Sequence, residues 1–145
     1  MSPQKRKPVV LDTNVIVSGF LDGASYPAKI IDAWLFKHFQ VAMSQELRQE
    51  LNEVFKKPYI SRILQDQKSI KPVLGRLLNH SIMVHPKTIN TTYFPDETDH
   101  FLLELAVTAK AELIVTGDKK LLNVKKAKGV KLLSPKQFCF YFKII

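Results

Sequence analysis

The chain has 145 residues, of which 46% are hydrophobic and 24% charged, and it carries a net charge of +9. The composition excludes a disordered chain, and the length suits about one folded domain. We therefore expect a single domain over residues 1–145, with a basic N-terminal extension at 1–7. The positive charge favours a polyanionic partner such as nucleic acid, although a surface of solvated lysines explains it equally well.

Membrane association and cysteine chemistry are not expected. The apolar run that follows Lys5, Arg6 and Lys7 is interrupted at Asp12, and no other stretch approaches the roughly 18 apolar residues of a membrane span. We expect a cytoplasmic protein with no membrane partner. Cys139 is the only cysteine, which excludes an intrachain disulfide and a thiolate zinc site, and its apolar neighbours predict a small buried side chain.

The predicted elements alternate between strands and helices along the chain. In chain order we predict a strand at 8–11, a helix within 27–39, a strand at 41–43, a helix at 44–55, a helical region at 59–79, a strand at 82–84, a loop at 85–98, a helix at 99–110, and strands at 113–116 and 130–133 before a short helix. Ser44 is the predicted N-cap of the second helix, and Pro58 is expected to close that helix. The alternation predicts a parallel α/β sandwich.

Two of the predicted strands are followed by an aspartate. Asp12 follows the strand at 8–11, and Asp118 follows the strand at 113–116 after Gly117. Open α/β folds place their ligand clefts at the carboxyl edge of the sheet, so the two carboxylates would converge if these strands are neighbours. The alternative is that each aspartate belongs to a turn or caps a helix, which is the commoner role at a strand end.

Two further acidic residues lie on helices that would flank this edge. Glu50 lies closer to the apolar stripe of its helix than Glu46 or Glu53, although a flanking carboxylate with a solvated head group gives the same pattern. Asp99 continues the apolar face of its helix into the first turn. The helix dipole also favours acidic residues at this position, which explains Asp99 equally well.

Four carboxylates at one end of one sheet would repel one another unless a cation or a proton intervened. Mg²⁺ and Mn²⁺ suit such a site because they take oxygen ligands and bridge to substrate phosphates. None of the four histidines has a partner at metal-ligand spacing. Six of the thirteen residues from 119 to 131 are lysines, so this segment is the best candidate for a phosphate-facing surface.

Four segments carry these acidic residues: 9–18, which contains Asp12, Thr13 and Asn14; 44–51, which contains Glu50; 99–106, which begins at Asp99; and 113–122, which contains Thr116, Gly117 and Asp118. In this order and spacing they resemble the successive motifs of PIN domains. The resemblance extends from residue 8 to about residue 135. It implies a Rossmann-like three-layer sandwich with a central parallel five-stranded sheet in the order 3-2-1-4-5.

The resemblance also implies a site and an activity. Catalysis and metal binding are carried over to Asp12, Glu50, Asp99 and Asp118, and supporting roles to Asn14 and Thr116, with Asp96 as the alternative third acid. The implied activity is an endoribonuclease that uses one or two Mg²⁺ or Mn²⁺ ions to hydrolyse single-stranded RNA, leaving a 5′-phosphate and a 3′-hydroxyl. Lys119, Lys120, Lys125 and Lys126 are predicted to bind flanking phosphates.

The resemblance includes free-standing bacterial and archaeal members described as toxins of toxin-antitoxin pairs. It implies an antitoxin protein as a partner, and we also expect a homodimer or a higher oligomer. Two alternative functions remain open. A non-catalytic RNA-binding module of a processing complex would gain nothing from clustered negative charge, and a structure-specific DNA nuclease would need additional length to grip a duplex junction.

Overall fold

The computed structural model describes residues 7–65, 70–89 and 99–144. In chain order the elements are β1 (Val9–Leu11), α1 (Thr13–Leu21), α2 (Tyr26–Leu35), β2 (Ala42–Met43), α3 (Gln45–Phe55), α4 (Pro58–Gln65), α5 (Ile70–Asn79), β3 (Ile82–Met83), α6 (His100–Thr108), β4 (Leu113–Val115), α7 (Lys119–Leu122), β5 (Lys126–Ala127), β6 (Val130–Leu133) and α8 (Pro135–Tyr141). No helix within the described ranges is long and apolar enough to cross a membrane.

The strands form a four-stranded sheet in the order β1-β4-β6-β5 and a separate two-stranded sheet of β2 and β3. All neighbours are parallel except β5, which runs antiparallel to β6. One bridge, between Val9 and Val41, links the two sheets. The predicted α/β fold with a mostly parallel sheet is confirmed, whereas the predicted single five-stranded sheet in the order 3-2-1-4-5 is wrong in strand number and order.

The difference in strand number and order has two physical causes. Lys128 and Gly129 have φ angles of 48° and 81°, the left-handed pair typical of a two-residue hairpin turn, and this turn adds β5 at the edge. At the other side, β2 and β3 are only two residues long. Such short strands leave a single bridge to β1 rather than a continuous ladder.

Several helices differ from the prediction. The helices α1 and α7 were not predicted, because Val15, Ile16 and Val17 are β-branched residues with modest helix propensity and α7 has only four residues. Pro58 was expected to close the preceding helix, but α3 ends at Phe55 and Pro58 begins α4, where proline is favoured in the first turn. The predicted helical region at 59–79 contains α4 and α5, and 66–69 between them lie outside the described residues, as do 90–98 of the predicted loop.

The centre of the core is formed by β1 and β4. Every residue of both strands is fully buried, and the register aligns Leu11 with Val115, so the two strands end at the same level. Helix α6 packs on both strands through buried residues such as Leu102 and Leu105. The predicted burial of Cys139 is confirmed, as is the N-cap role of Ser44, whose side chain accepts a hydrogen bond from the Leu47 N–H.

Helices α1 and α2 approach each other closely at Gly19. A Cβ atom placed on Gly19 would lie 2.6 Å from Ile31 Cγ1 and 2.9 Å from the carbonyl oxygen of Pro27. The second of these contacts is with backbone, which cannot turn aside as a side chain can. The observed spacing of the two helices therefore requires a residue without a side chain at position 19.

Candidate functional site

Asp12 occupies the end of β1, at the edge where the parallel strands finish. Its side chain is buried, with a residue exposure of 9%. It is the N-cap residue of α1, yet its side chain makes no capping hydrogen bond. Instead, Asp12 Oδ2 accepts a hydrogen bond of 2.8 Å from the hydroxyl of Thr116. The capping alternative therefore does not describe Asp12, whose carboxylate is held by a residue from another strand.

Thr116 joins the ends of β1 and β4 through a single hydroxyl. The residue is fully buried. Its Oγ1 donates to Asp12 and accepts a hydrogen bond of 3.0 Å from the backbone N–H of Asp118. The same oxygen thus fixes the orientation of one acidic side chain and the backbone position of the other.

Asp118 caps a helix and also belongs to the acidic cluster. Its Oδ1 accepts a hydrogen bond of 2.9 Å from the Lys120 N–H, as the N-cap of α7. Its charge is also close enough to Asp12 to raise the pKa of that residue. Asp118 therefore caps a helix, as the alternative interpretation of the sequence proposed, and its charge also acts on Asp12.

Two opposing sets of interactions act on the pKa of Asp12, and the pKa is raised overall. Burial is the largest cause, and repulsion by Asp118 acts in the same direction. The Thr116 hydroxyl lowers the pKa, as do the nearby backbone N–H groups of Asn14 and Thr13, although neither N–H forms a capping hydrogen bond of standard geometry. The carboxylate is thus partly desolvated and remains next to a like charge.

Glu50 faces the same cluster from α3. It is partly buried, whereas Glu46 and Glu53 on the same helix are exposed, as its position near the apolar stripe predicts. Burial raises the pKa of Glu50, and the negative charges of Asp12 and Glu53 raise it further. Asp12 therefore lies within electrostatic range of both Glu50 and Asp118.

Thr13 belongs to the site and was not recognised from the sequence. It is buried, and its hydroxyl lowers the pKa of Glu50, yet Oγ1 forms no hydrogen bond of standard geometry with any residue that the structure describes. It is a buried polar atom that faces a carboxylate without a fixed partner. Its place three residues before buried Ile16 puts it on the inner side of α1, which is the signal that could have identified it.

The remaining predicted residues are placed less centrally. Asp99 immediately precedes α6, is partly buried and makes no capping hydrogen bond with its side chain. Asn14 is exposed in the first turn of α1. Asp96, the alternative third acid, lies outside the described residues.

The chemistry of the acidic side chains suits a divalent metal ion. Asp12, Glu50 and Asp118 offer the carboxylate oxygens that Mg²⁺ and Mn²⁺ prefer, and the unpartnered Thr13 hydroxyl adds a buried oxygen beside them. Across 7–65, 70–89 and 99–144, no three Asp, Glu, His or Cys side chains are gathered closely enough to hold an ion.

Lys119 and Lys120 lie directly beside the acidic site. They begin α7 immediately after Asp118, and both side chains are exposed. Lysine side chains are long and flexible, so their ammonium groups can reach several ångströms from the backbone. Both residues therefore place positive charge next to Asp118.

Lys125 and Lys126 lie farther from the acidic site. Lys126 pairs across the hairpin with Lys131, which is in register with Leu113 at the start of β4. Asp118 follows the other end of β4. The hairpin lysines are therefore displaced toward the opposite edge of the sheet.

This combination of fold and site defines a class of protein: an α/β domain with clustered carboxylates at the carboxyl edge of a parallel sheet. The family model of the PIN domain matches residues 8–120. The chain belongs to the PIN-domain family, whose members are typically metal-dependent nucleases. The resemblance noted in the sequence is thereby confirmed, and the matched region contains all four predicted acidic residues.

A relative of the chain is found in Methanocaldococcus jannaschii. The two sequences are 28% identical over 117 residues, which cover 81% of this chain and 74% of the relative, an uncharacterized protein. The shared region therefore spans most of both chains. The relative's name assigns no substrate.

Proposed function

We propose that this protein is a Mg²⁺- or Mn²⁺-dependent endoribonuclease that hydrolyses single-stranded RNA at the acidic site. The observation that carries the proposal is the Asp12 carboxylate, which is buried, held by Thr116 and close to two other acids. The Asp12 side chain is held by Thr116, at the end of a neighbouring strand, and makes no capping hydrogen bond to α1. Membership of a family of nucleases supports the same function.

The acidic residues would hold one or two divalent ions. Asp12, Glu50 and Asp118 contribute carboxylates from β1, α3 and the end of β4, and Asp99 completes the set from the start of α6. When bound, such ions lower the pKa of water and stabilise negative charge on the phosphodiester during in-line displacement. The products of this hydrolysis carry a 5′-phosphate and a 3′-hydroxyl.

The neutral residues around the acids orient them. Thr116 holds one oxygen of Asp12, which leaves the other oxygen for a ligand. Thr13 offers a hydroxyl to Glu50 in the same way. Hydroxyl groups suit this task because they form hydrogen bonds without adding charge to a site that is already repulsive.

The single-stranded substrate is inferred from the positive charge of the protein and from the position of the site at the sheet edge. A chain with a net charge of +9 attracts polyanions, and Lys119 and Lys120 provide cations next to the acids. A single strand can enter a site at a sheet edge without being unwound. A DNA substrate is the competing possibility that the experiment below separates.

A toxin role is part of the same proposal, and it rests on the resemblance to free-standing PIN proteins. It requires an antitoxin protein that blocks the site, and we propose that the protein acts as a homodimer or a higher oligomer. Light scattering of the purified protein tests the oligomer. Growth arrest on expression, abolished by Asp12→Asn, tests the toxin role, and normal growth with an active enzyme would contradict it.

The experiment that tests the activity compares labelled single-stranded RNA and DNA of the same sequence. Each is incubated with the wild-type protein in Mn²⁺, in Mg²⁺ and in chelator, and the Asp12→Asn variant is assayed in parallel as the control. We expect metal-dependent cleavage of RNA by the wild type alone. Cleavage that survives chelator would refute the metal dependence, cleavage that survives Asp12→Asn would refute the proposed site, and preference for DNA would replace the proposed substrate.

A further inference from the structure

A second set of functional groups lies away from the acidic site, where the β5–β6 hairpin meets α8. Lys126 and Lys131 are Cα partners in the antiparallel pair, and both are exposed. Directly opposed residues share one face of the sheet, and like charges in this position destabilise the pair. The arrangement disfavours the fold locally, and a bound anion would remove the repulsion.

Aromatic side chains continue this lysine pair onto α8. The ammonium group of Lys131 lies 5.8 Å from the ring centroid of Tyr141, and the Tyr141 hydroxyl donates a hydrogen bond to Glu112. Phe140 is 57% exposed and Tyr141 is 47% exposed, so both rings are accessible from solvent. The hydrogen bond and the cation contact orient the Tyr141 ring at the surface.

The outward face of α8 adds a further cation. Lys136 is exposed and precedes Phe140 by four residues, so the two side chains are neighbours on the helix. We call Lys126, Lys131, Lys136, Phe140 and Tyr141 the α8 strip. It combines three lysines and two exposed rings on adjoining surfaces.

We propose that the α8 strip binds single-stranded RNA at nucleotides away from the cleavage position. The lysines contact phosphates, and the rings of Phe140 and Tyr141 stack on bases, which is how proteins hold single strands without reading their sequence. The proposal rests on the function proposed above and extends it, because it names a part of the substrate path that the acidic site does not provide. It predicts tighter binding of longer RNA.

Charge complementarity favours RNA over a protein partner at this surface. Protein interfaces are enriched in aromatic residues but depleted of lysine, whereas surfaces that bind single-stranded nucleic acid use both. The like-charged pair of Lys126 and Lys131 is suited to a polyanion. A second copy of the chain would bring the same positive charges to the contact.

The first test measures how binding depends on salt. The protein carries Asp12→Asn so that RNA is not cut, and the probe is an unstructured RNA of about 16 nucleotides. Replacing Lys126, Lys131 and Lys136 with alanine should make the slope of log K against log salt shallower by about two, or roughly 0.7 for each contact. In the control, Lys56, Lys57 and Lys71 are changed to alanine, which removes the same number of charges from exposed positions outside the α8 strip and should change the slope less. Equal slopes for the two variants would overturn the proposal.

The second test examines stacking with a matched pair of aromatic residues. Phe140 and Tyr59 are both 57% exposed. Phe140→Ala should weaken binding of the RNA about tenfold, the loss expected for one stacked base, while Phe140→Tyr should bind as the parent does. Tyr59→Ala should have no effect. Equal losses from the two alanine variants would show that Phe140 is not a stacking site.

The third test separates RNA binding from folding and from self-association. Lys126→Glu places opposite charges across the hairpin, so Tm should equal or exceed that of the parent while RNA binding weakens. Weaker binding that accompanies a lower Tm or a changed oligomeric state would contradict the proposal. A wild type that cuts no RNA would refute the proposed activity alone, because these binding measurements do not require cleavage.

Discussion

The strand ends at Asp12 and Asp118 have the same local arrangement but different interactions. In both places a buried three-residue strand is followed by an aspartate at the N-cap of a helix. Asp118 uses its carboxylate to cap α7, whereas Asp12 leaves α1 without a side-chain cap and binds Thr116. The sequence pattern alone therefore does not decide what such an aspartate does.

The difference follows from the surroundings of each carboxylate. Asp12 follows β1 and is buried, and its pKa is raised chiefly by that burial. Asp118 lies nearer the surface, where the backbone N–H of Lys120 is available to it. A buried carboxylate that does not stabilise its own helix points to a chemical role. The following experiments separate the two aspartates.

The largest effect is expected from Asp12→Asn. The change removes a charge at nearly constant volume, and cleavage should fall by more than about a hundredfold, since even the residues that support metal ligands are often worth 10- to 100-fold. The measurement is initial rate with Mn²⁺ on labelled RNA. Asp32→Asn, the same change at an exposed aspartate of α2, is the control, and equal rates for Asp12→Asn and wild type would refute the site.

The same variant should change the pH dependence of stability. A raised folded-state pKa means that Asp12 contributes most to stability below its unfolded value of about 3.8 and that this contribution is lost as pH rises through the folded-state pKa. At neutral pH without metal, Asp12→Asn should therefore be at least as stable as the wild type. Melting curves across pH measure this, and a clear loss of stability at neutral pH would contradict it.

Replacing Thr116 tests the connection between the two strand ends. Thr116→Val keeps the shape but removes a hydrogen bond that lowers the pKa of Asp12, so cleavage should fall about ten- to a hundredfold. The acid limb of the pH–rate profile should move to higher pH. Thr116→Ser retains the hydroxyl and serves as the control. An unshifted acid limb in the valine variant would show that the hydrogen bond does not affect catalysis.

Two changes at Asp118 separate capping from charge. Asparagine caps helices about as well as aspartate, whereas alanine does not, so Asp118→Ala should be about 1 kcal/mol less stable than Asp118→Asn. Both variants should lose cleavage because both lack the charge. Chemical denaturation gives the difference in stability. Equal stability would mean that the cap at α7 contributes nothing measurable.

The smallest effect concerns the lysines that follow Asp118. Changing Lys119 and Lys120 to alanine should make the slope of log K against log salt for RNA binding shallower by roughly 0.7 per lost contact. The binding of RNAs of unrelated sequence should weaken by similar factors, because phosphate contacts carry no base information. The comparison is with Lys125 and Lys126, which lie toward the other edge of the sheet. Binding of an RNA short enough to reach only the acidic site should weaken when Lys119 and Lys120 are changed and should not weaken when Lys125 and Lys126 are changed. The opposite result would place the RNA on the hairpin side of the sheet.

Local features of the fold were predictable from the sequence. The apolar runs before Asp12 and Asp118 correctly predicted β1 and β4, and Ser44 correctly marked the start of α3. Such signals depend on residues a few positions apart. Glu50 could be distinguished from Glu46 and Glu53 for the same reason, because helical periodicity determines which side chain lies nearest the core.

The contacts that complete the site could not be predicted in this way. Thr116 and Asp12 are 104 positions apart in sequence, and their hydrogen bond exists only because β1 and β4 are neighbours. Thr13 was missed because its burial depends on how α1 packs. The hairpin that adds β5 was missed because Lys128 stands where asparagine is the usual sequence signal.

The close approach at Gly19 also constrains how this protein can evolve. A methyl group at this position would act as a wedge between α1 and α2, and α1 begins at Asp12 and carries Thr13 in its first turn. Gly19 has no side chain that could take part in chemistry, yet its replacement would shift the helix that follows Asp12. In a mutant library selected for nuclease activity, position 19 should tolerate substitution almost as rarely as position 12, because changing Ile31 relieves only one of the two contacts and leaves the Pro27 backbone in the way.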